Sequence, residues 1–177
     1  MIYIPKKNPK KASYTAAAAF LIATALYTAG EFLKIAKMPF QLSALALFAF
    51  GIMLTARYLL TDYKYVIKDT ERADKAPSFI IVKISGKRET PVATFDFSSV
   101  YKCGRYKKTS AFEKENGKVN KVFNYCTNYR ADDCYAVAIE FNGMNVLLFV
   151  EADEIFEREI EARVEKSVGE YGGNYVL

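Results

Sequence analysis

The chain has no histidine among its 177 residues. That removes the commonest general base and the commonest protein metal ligand together. No G-x-x-x-x-G-K-[ST], G-x-G-x-x-G or G-x-S-x-G string occurs, so phosphate-cradling and hydrolase readings have no anchor. Cysteine is scarce and odd in number, with Cys103, Cys126 and Cys134 and no C-x-x-C pair, which argues against a disulfide framework and fits a reducing compartment. Cysteine catalysis lacks a histidine partner. If the three thiols met they would still fall short of the four ligands of a structural zinc site, so they read as small residues filling a β core. No cofactor or metal is expected.

Acidic residues are nearly missing from the first third. Residues 1–61 hold seven Lys/Arg and one acid, Glu31, whereas residues 62–177 hold eighteen basic and nineteen acidic residues. The pI near 9.0 therefore originates in the N-terminal part. With the remainder close to neutral, nucleic acid is not an expected partner.

That N-terminal part carries two apolar runs. Residues 1–12 form a basic tail with Lys6, Lys7, Lys10 and Lys11, in which Pro5 and Pro9 delay the helix. Tyr14–Leu33 spans about 30 Å as a helix, the thickness of a hydrocarbon core. A basic start, an apolar centre and Thr28-Ala29-Gly30 also describe a signal peptide. The second run, Met38–Leu60, outweighs that reading, since cleavage would leave a chain that still needs a membrane. Its single charge, Arg57, lies in the last turn and can snorkel. The short link Glu31–Pro39 makes the pair an antiparallel hairpin over residues 13–60. Small residues four apart (Ala19 and Ala23, Ala25 and Ala29, Gly51 and Thr55) permit close helix contact, including homo-oligomers. The tail lysines, with Arg57, Lys64 and Lys68, outnumber Lys34 and Lys37 in the link. This topology signal places both termini and the following domain in the cytoplasm of a multi-pass cell-membrane protein.

From Asp62 the pattern alternates. Tyr63, Tyr65 and Ile67 share one face, with Lys64 and Lys68 on the other. Further strands are predicted over 79–84, 91–95, 97–105, 119–126, 134–141 and 144–150. Asn142-Gly143 is a two-residue hairpin turn in which both positions need positive φ. Ile155, Phe156, Ile160 and Val164 then line one face of a C-terminal helix with Glu151, Asp153 and Glu154 near its start. Residues 169–177 read as a tail. The expected class is α+β: a transmembrane helical hairpin, then a seven-stranded antiparallel barrel or sandwich over 62–168, closed by an amphipathic helix.

This order resembles the pleckstrin-homology-like (PH-like) fold, and the chain looks like small two-span membrane proteins of Gram-positive bacteria with a cytosolic PH-like domain. The stretches that carry the resemblance are the hairpin, YKYVIKD (63–69), SFIIVKISGKR (78–88), TFDFSSVYKC (94–103) and the segment 134–164. It implies a fold and a location and no reaction. Phosphoinositide-binding relatives use a basic first hairpin loop. Here Lys68, Arg72 and Lys75 alternate with Asp69, Glu71 and Asp74, which argues against a tight inositol-phosphate site.

Two constellations invite a chemical reading. Asp132-Asp133 beside Tyr129-Arg130 could serve acid/base chemistry or hold a hard cation, but without a partner motif it reads as a solvated turn. Tyr101, Lys102, Arg105, Tyr106, Lys107 and Lys108 form the densest basic and aromatic cluster. It reads first as a charged strand edge, second as a contact for anionic lipid headgroups, and third as a grip on nucleic acid or an acidic partner. Residues 62–130 carry fifteen basic and eight acidic residues, and residues 131–177 carry three basic and eleven acidic. The expectation is a non-enzymatic, membrane-tethered interaction or scaffold module with a protein partner; the alternative binds lipid or a small ligand on its basic face.

Overall fold

The computed structural model describes residues 1–32, 37–69, 77–105, 118–129, 131 and 134–171. Contacts divide the chain into two units. One comprises Lys7–Asp62 with Asn128–Arg130, the other Met1–Lys6, Tyr63–Thr127 and Ala131–Leu177.

In the first unit, helix α1 (Lys10–Phe32) starts earlier than the apolar run suggests. Asn8 Oδ1 accepts from the Lys10 N–H (3.3 Å), and the Pro9 carbonyl accepts from the Ser13 N–H (2.8 Å). Pro9 therefore opens the helix instead of delaying it, because a first-turn residue needs no N–H. Helix α2 (Lys37–Leu54) continues into one π-helical turn, Thr55–Leu59. The buried α1 positions Ala12, Ala16, Ala19 and Ala23 alternate four and three apart, the spacing of a two-helix seam. Ala44, Gly51 and Leu54 face it from α2. Small residues here sit opposite large ones. A Cβ on Gly51 would lie 2.8 Å from Phe20 Cε1, and one on Gly30 would lie 3.0 Å from Phe40 Cβ. Ala19, Ala23 and Gly51 are thus consumed within the hairpin, while Ala25 is exposed.

Both hairpin ends are tied by charge. Glu31 accepts from Lys37 Nζ (2.9 Å) and Gln41 Nε2 (2.8 Å). Lys7 Nζ donates to the Leu59 carbonyl (2.9 Å) and pairs with Asp62 (2.6 Å), placing a cation at a helix C-terminus where the dipole favours it. Asn128 Oδ1 accepts from the Asn8 N–H, and Tyr129 packs edge-on against Tyr58. Both helices are long and apolar enough to cross a membrane. Only 22% and 17% of their apolar windows are buried, so these are not the core helices of a globule.

The second unit is built from two sheets. The first has the order β1 (Ile2–Tyr3), β2 (Thr61–Lys68), β3 (Ser78–Ser85), β4 (Arg88–Asp96). The second has the order β5 (Val100–Arg105), β7 (Cys134–Phe141), β8 (Met144–Glu151), β6 (Lys121–Asn124). Three expectations are corrected. Of the two alternatives, a barrel or a sandwich, the single seven-stranded barrel is overturned: there are two four-stranded sheets sharing one core, because Ile2–Tyr3 supplies an eighth strand and a 3₁₀ turn at Phe97–Ser99 divides β4 from β5. The sheets are not wholly antiparallel, since β6 runs parallel to β8. No helix marks that crossover because β7 and its flanking loops make it, and together they exceed the dozen residues a parallel connection needs. The start of the basic tail is sheet: Tyr3 pairs with Tyr65 in register, and the Ile67 N–H donates to the Met1 carbonyl (2.9 Å).

Alternation puts Tyr63, Tyr65, Ile67, Phe79, Ile81 and Phe95 of the first sheet into one core with Val137, Ile139, Leu148 and Val150 of the second. The turn at Asn142-Gly143 holds φ of 50° and 70°, as the two-residue hairpin requires. Helix α3 (Glu154–Tyr171) covers this core with Phe156, Ile160 and Val164. Asp153 Oδ1 accepts from the Phe156 N–H (2.8 Å) and caps it. Ile155 is not on the buried face. It is 73% exposed, because one residue turns a helix by about 100° and the core stripe already runs through Phe156.

Tyr65 joins the sheets. Its ring stacks with Tyr3, Phe79 and Phe156. Its hydroxyl donates to the Tyr125 carbonyl (3.0 Å), just past β6, and accepts from the Glu151 N–H (3.1 Å) at the end of β8. Burial holds this phenol well above its usual range, and Tyr135 likewise. In the unfolded chain both ionise near pH 10. Above that pH unfolding releases protons, so the stability present below pH 10 falls as pH rises, by about 1.4 kcal/mol per unit for each such phenol.

Tyr65→Phe strands a buried N–H and a buried carbonyl and should cost about 1–3 kcal/mol by denaturant unfolding, with a shallower alkaline limb than the parent. Gly51→Leu should loosen the α1–α2 pair, read as protease sensitivity in detergent, and Phe20→Ala should restore part of the loss.

Candidate interaction surfaces

Strand β5 sits at the edge of the second sheet, and register decides where its side chains go. Lys102 lies opposite Ala138, and Gly104 opposite Ala136, on the face away from the main core. Cys103 and Arg105 lie opposite Val137 and Tyr135 on the core side. A bulge between Val100 and Lys102 sets this phase. The strand therefore does not gather its basic and aromatic residues on one face. Tyr106, Lys107 and Lys108 lie outside the described residues, as do Arg130, Asp132 and Asp133.

Arg105 turns toward α3. Its Nε donates to both Glu157 oxygens, at 2.7 and 2.9 Å, and Glu157 is nearly buried. Tyr135 lies beside this pair: its hydroxyl donates to Glu161 Oε1 (3.0 Å) and also meets Cys103. Arg163, further along α3, pairs with Glu159 (2.9 Å) and with Asp69. The basic and acidic halves of the sequence are thus partly interlocked. The sequence showed both partners of these pairs, but 52 residues separate Arg105 from Glu157 and no local pattern links them.

Tyr101 packs on the second, smaller cluster of Val119, Ala136, Ala138 and Leu147. It also borders a polar cleft of about 250 Å³ with Ser98, Ser99, Glu140 and Asn142. Burial, and then the Glu140 carboxylate, raise its phenol above the usual range. A carboxylate beside hydroxyls suits hydrogen-bond donors and repels an anionic headgroup. On the hairpin, a groove of about 530 Å³ is lined by Ala23, Tyr27, Ala44, Leu45 and Phe48, with Thr24 and Gln41 as polar members.

The topology lysines divide in a similar way. Lys7 is held at the end of the hairpin as described above, while Lys6, Lys10 and Lys11 are exposed. Arg57 lies over the Tyr58 ring, 5.1 Å from its centre. Among the described residues no group of three or more Cys, Asp or Glu could hold a metal ion. All three cysteines are thiols, and the Cys126 and Cys134 sulfurs lie 3.7 Å apart, a proximity that sequence spacing did not indicate.

Arg105→Ala leaves the nearly buried Glu157 carboxylate without its guanidinium and should cost about 1 kcal/mol by urea unfolding, allowing for the exposed side of the pair. Glu157→Gln should cost less, because it removes the buried charge along with the pairing.

Comparison with known proteins agrees with this architecture. Residues 2–170 match the family described as Bacterial PH-like domain (DUF6106), through the hairpin as well as the sheets. No curated protein and no solved structure matches the chain. Nearly the whole chain, from the first strand to the C-terminal helix, belongs to the bacterial PH-like domain family DUF6106.

Proposed function

We propose that this protein is an integral two-span membrane protein whose hairpin anchors its PH-like domain at the inner leaflet as a non-catalytic interaction or scaffold module. The observation that carries this reading is the place of the hairpin in the chain. It is inserted between β1 and β2, adjacent antiparallel strands of one sheet. The segment before the hairpin and the domain after it therefore share one side of any bilayer. The apolar surface left uncovered on α1 and α2 supports a non-aqueous environment for the hairpin. The lysine excess flanking the spans favours the cytoplasmic side.

A protein partner is the leading occupant. Strand β4 ends the first sheet, and Phe95 is its single buried residue, so its edge offers backbone donors and acceptors to an added strand. The exposed acidic face of α3, with Glu154, Glu161 and Glu165, is the second available surface. Anionic lipid headgroups are the alternative, through Lys102 together with Lys107 and Lys108, which follow it in the sequence. The Arg105–Glu157 pair and the carboxylate beside Tyr101 weigh against it.

A phosphatase fusion active only outside the cytoplasm, joined at Leu177, should be silent, and strong activity would overturn the orientation. Purification of the full chain in mild detergent should retain a stoichiometric protein partner. Recovery of anionic lipid in its place, lost in Lys102→Glu, would favour the alternative.

A further inference from the structure

Cys126 and Cys134 are eight positions apart, on either side of the connection from β6 to β7, and that connection brings their sulfurs to 3.7 Å. Cys126 follows β6, where Asn124 Oδ1 accepts from its N–H (2.9 Å), and it is 2% exposed. Cys134 opens β7, opposite Glu151, and is half-buried. A disulfide holds its sulfurs about 2.05 Å apart, so side-chain rotation with a small movement at the strand ends closes the gap. The two thiols are unequal. Solvent reaches Cys134, and its hydrogen bond with Cys126 keeps its thiol below the usual range. Cys126 is shielded. This is the division of labour between a thiol that meets an oxidant and one that resolves the product.

We propose that Cys126 and Cys134 form a reversible thiol–disulfide site, with a hydroperoxide as the oxidant and a dithiol as the reductant. In the first step the Cys134 sulfur attacks the terminal peroxide oxygen. The O–O bond breaks, the leaving oxygen takes the thiol proton, and Cys134 becomes a sulfenic acid. In the second step the Cys126 sulfur attacks the Cys134 sulfur, the S–O bond breaks, and the hydroxyl leaves as water with the Cys126 proton. Two thiols and one hydroperoxide thus give one disulfide, one alcohol (water from hydrogen peroxide) and one further water. An external dithiol reverses the bond by exchange.

The bond would close a ring over residues 126–134. That ring contains Thr127, which is 1% exposed and whose hydroxyl accepts from the Tyr63 N–H (3.2 Å). Oxidation would hold this hydroxyl against the start of β2 through a covalent ring as well as through that hydrogen bond.

The test uses the full chain in mild detergent, reduced and then treated with dilute hydrogen peroxide. On denaturation the thiol count should fall from three to one. After trypsin cleaves at Arg130, the peptides holding Cys126 and Cys134 should stay joined until a dithiol is added. Cys103→Ser should fall from two thiols to none. Cys126→Ser should accumulate a sulfenic acid at Cys134, trapped by a cyclic 1,3-dione several-fold more than in the parent. Three persisting thiols in the parent, a linkage through Cys103, or no adduct at Cys134 in Cys126→Ser would each overturn the proposal. The parent thiol count needs no variant and so does not depend on how a substituted chain folds.

Discussion

The Tyr65 hydroxyl is the contact on which the domain most depends. Two sheets packed through an apolar core can slide, because dispersion and hydrophobic burial have no direction. A buried phenol that gives one hydrogen bond and takes another has direction. Tyr65 reaches from β2 to the Tyr125 carbonyl and the Glu151 N–H, and both partners lie in or beside the strands of the opposite sheet. Removing it would leave two polar groups buried, so the relative placement of the sheets is specified and not merely favoured. The rings of Tyr3, Phe79 and Phe156 surround it, which ties the first strand and the last helix to the same point.

Tyr3 also explains how an apolar helical hairpin can interrupt a folded sheet. The chain completes one short strand, leaves for two long apolar helices, and returns to the neighbouring strand. Antiparallel neighbours place exit and return at the same edge, which an antiparallel hairpin can join. Within the hairpin, glycine opposite phenylalanine lets the helices approach without a void. The two-unit division of the chain follows from this insertion.

Charge behaves less simply than its distribution along the sequence suggests. A basic first part and an acidic last part invite the picture of two opposed faces. Packing of α3 on the domain instead brings Glu157 onto Arg105, and Arg163 onto Asp69. These pairs consume charge that a lipid-facing surface would need. Among the described residues of β5, Lys102 lies on the outer face, and the cleft beside Tyr101 carries Glu140. An interaction module with a protein partner accommodates that mixed surface more readily than a broad anionic membrane does.

Local patterns determined much by themselves. A largely apolar run of twenty residues, a short charged link and a second apolar run specify an antiparallel hairpin, because each rests on length and hydropathy alone. Period-two alternation located most strands, and Asn142-Gly143 marked its turn through backbone sterics. The family resemblance was legible for the same reason, since it follows the order of elements. The tertiary structure alone decided the rest. A two-residue strand at Ile2–Tyr3 is too short to show a period, and the parallel pairing of β6 depends on a neighbour that comes later in the chain. The bulge in β5, the pairing of Arg105 with Glu157 and the meeting of Cys126 with Cys134 arise between segments that sequence spacing does not connect. Periodicity reports which side of an element is apolar; which element that side meets is set by packing, and the candidate surfaces of this protein are made at that second level.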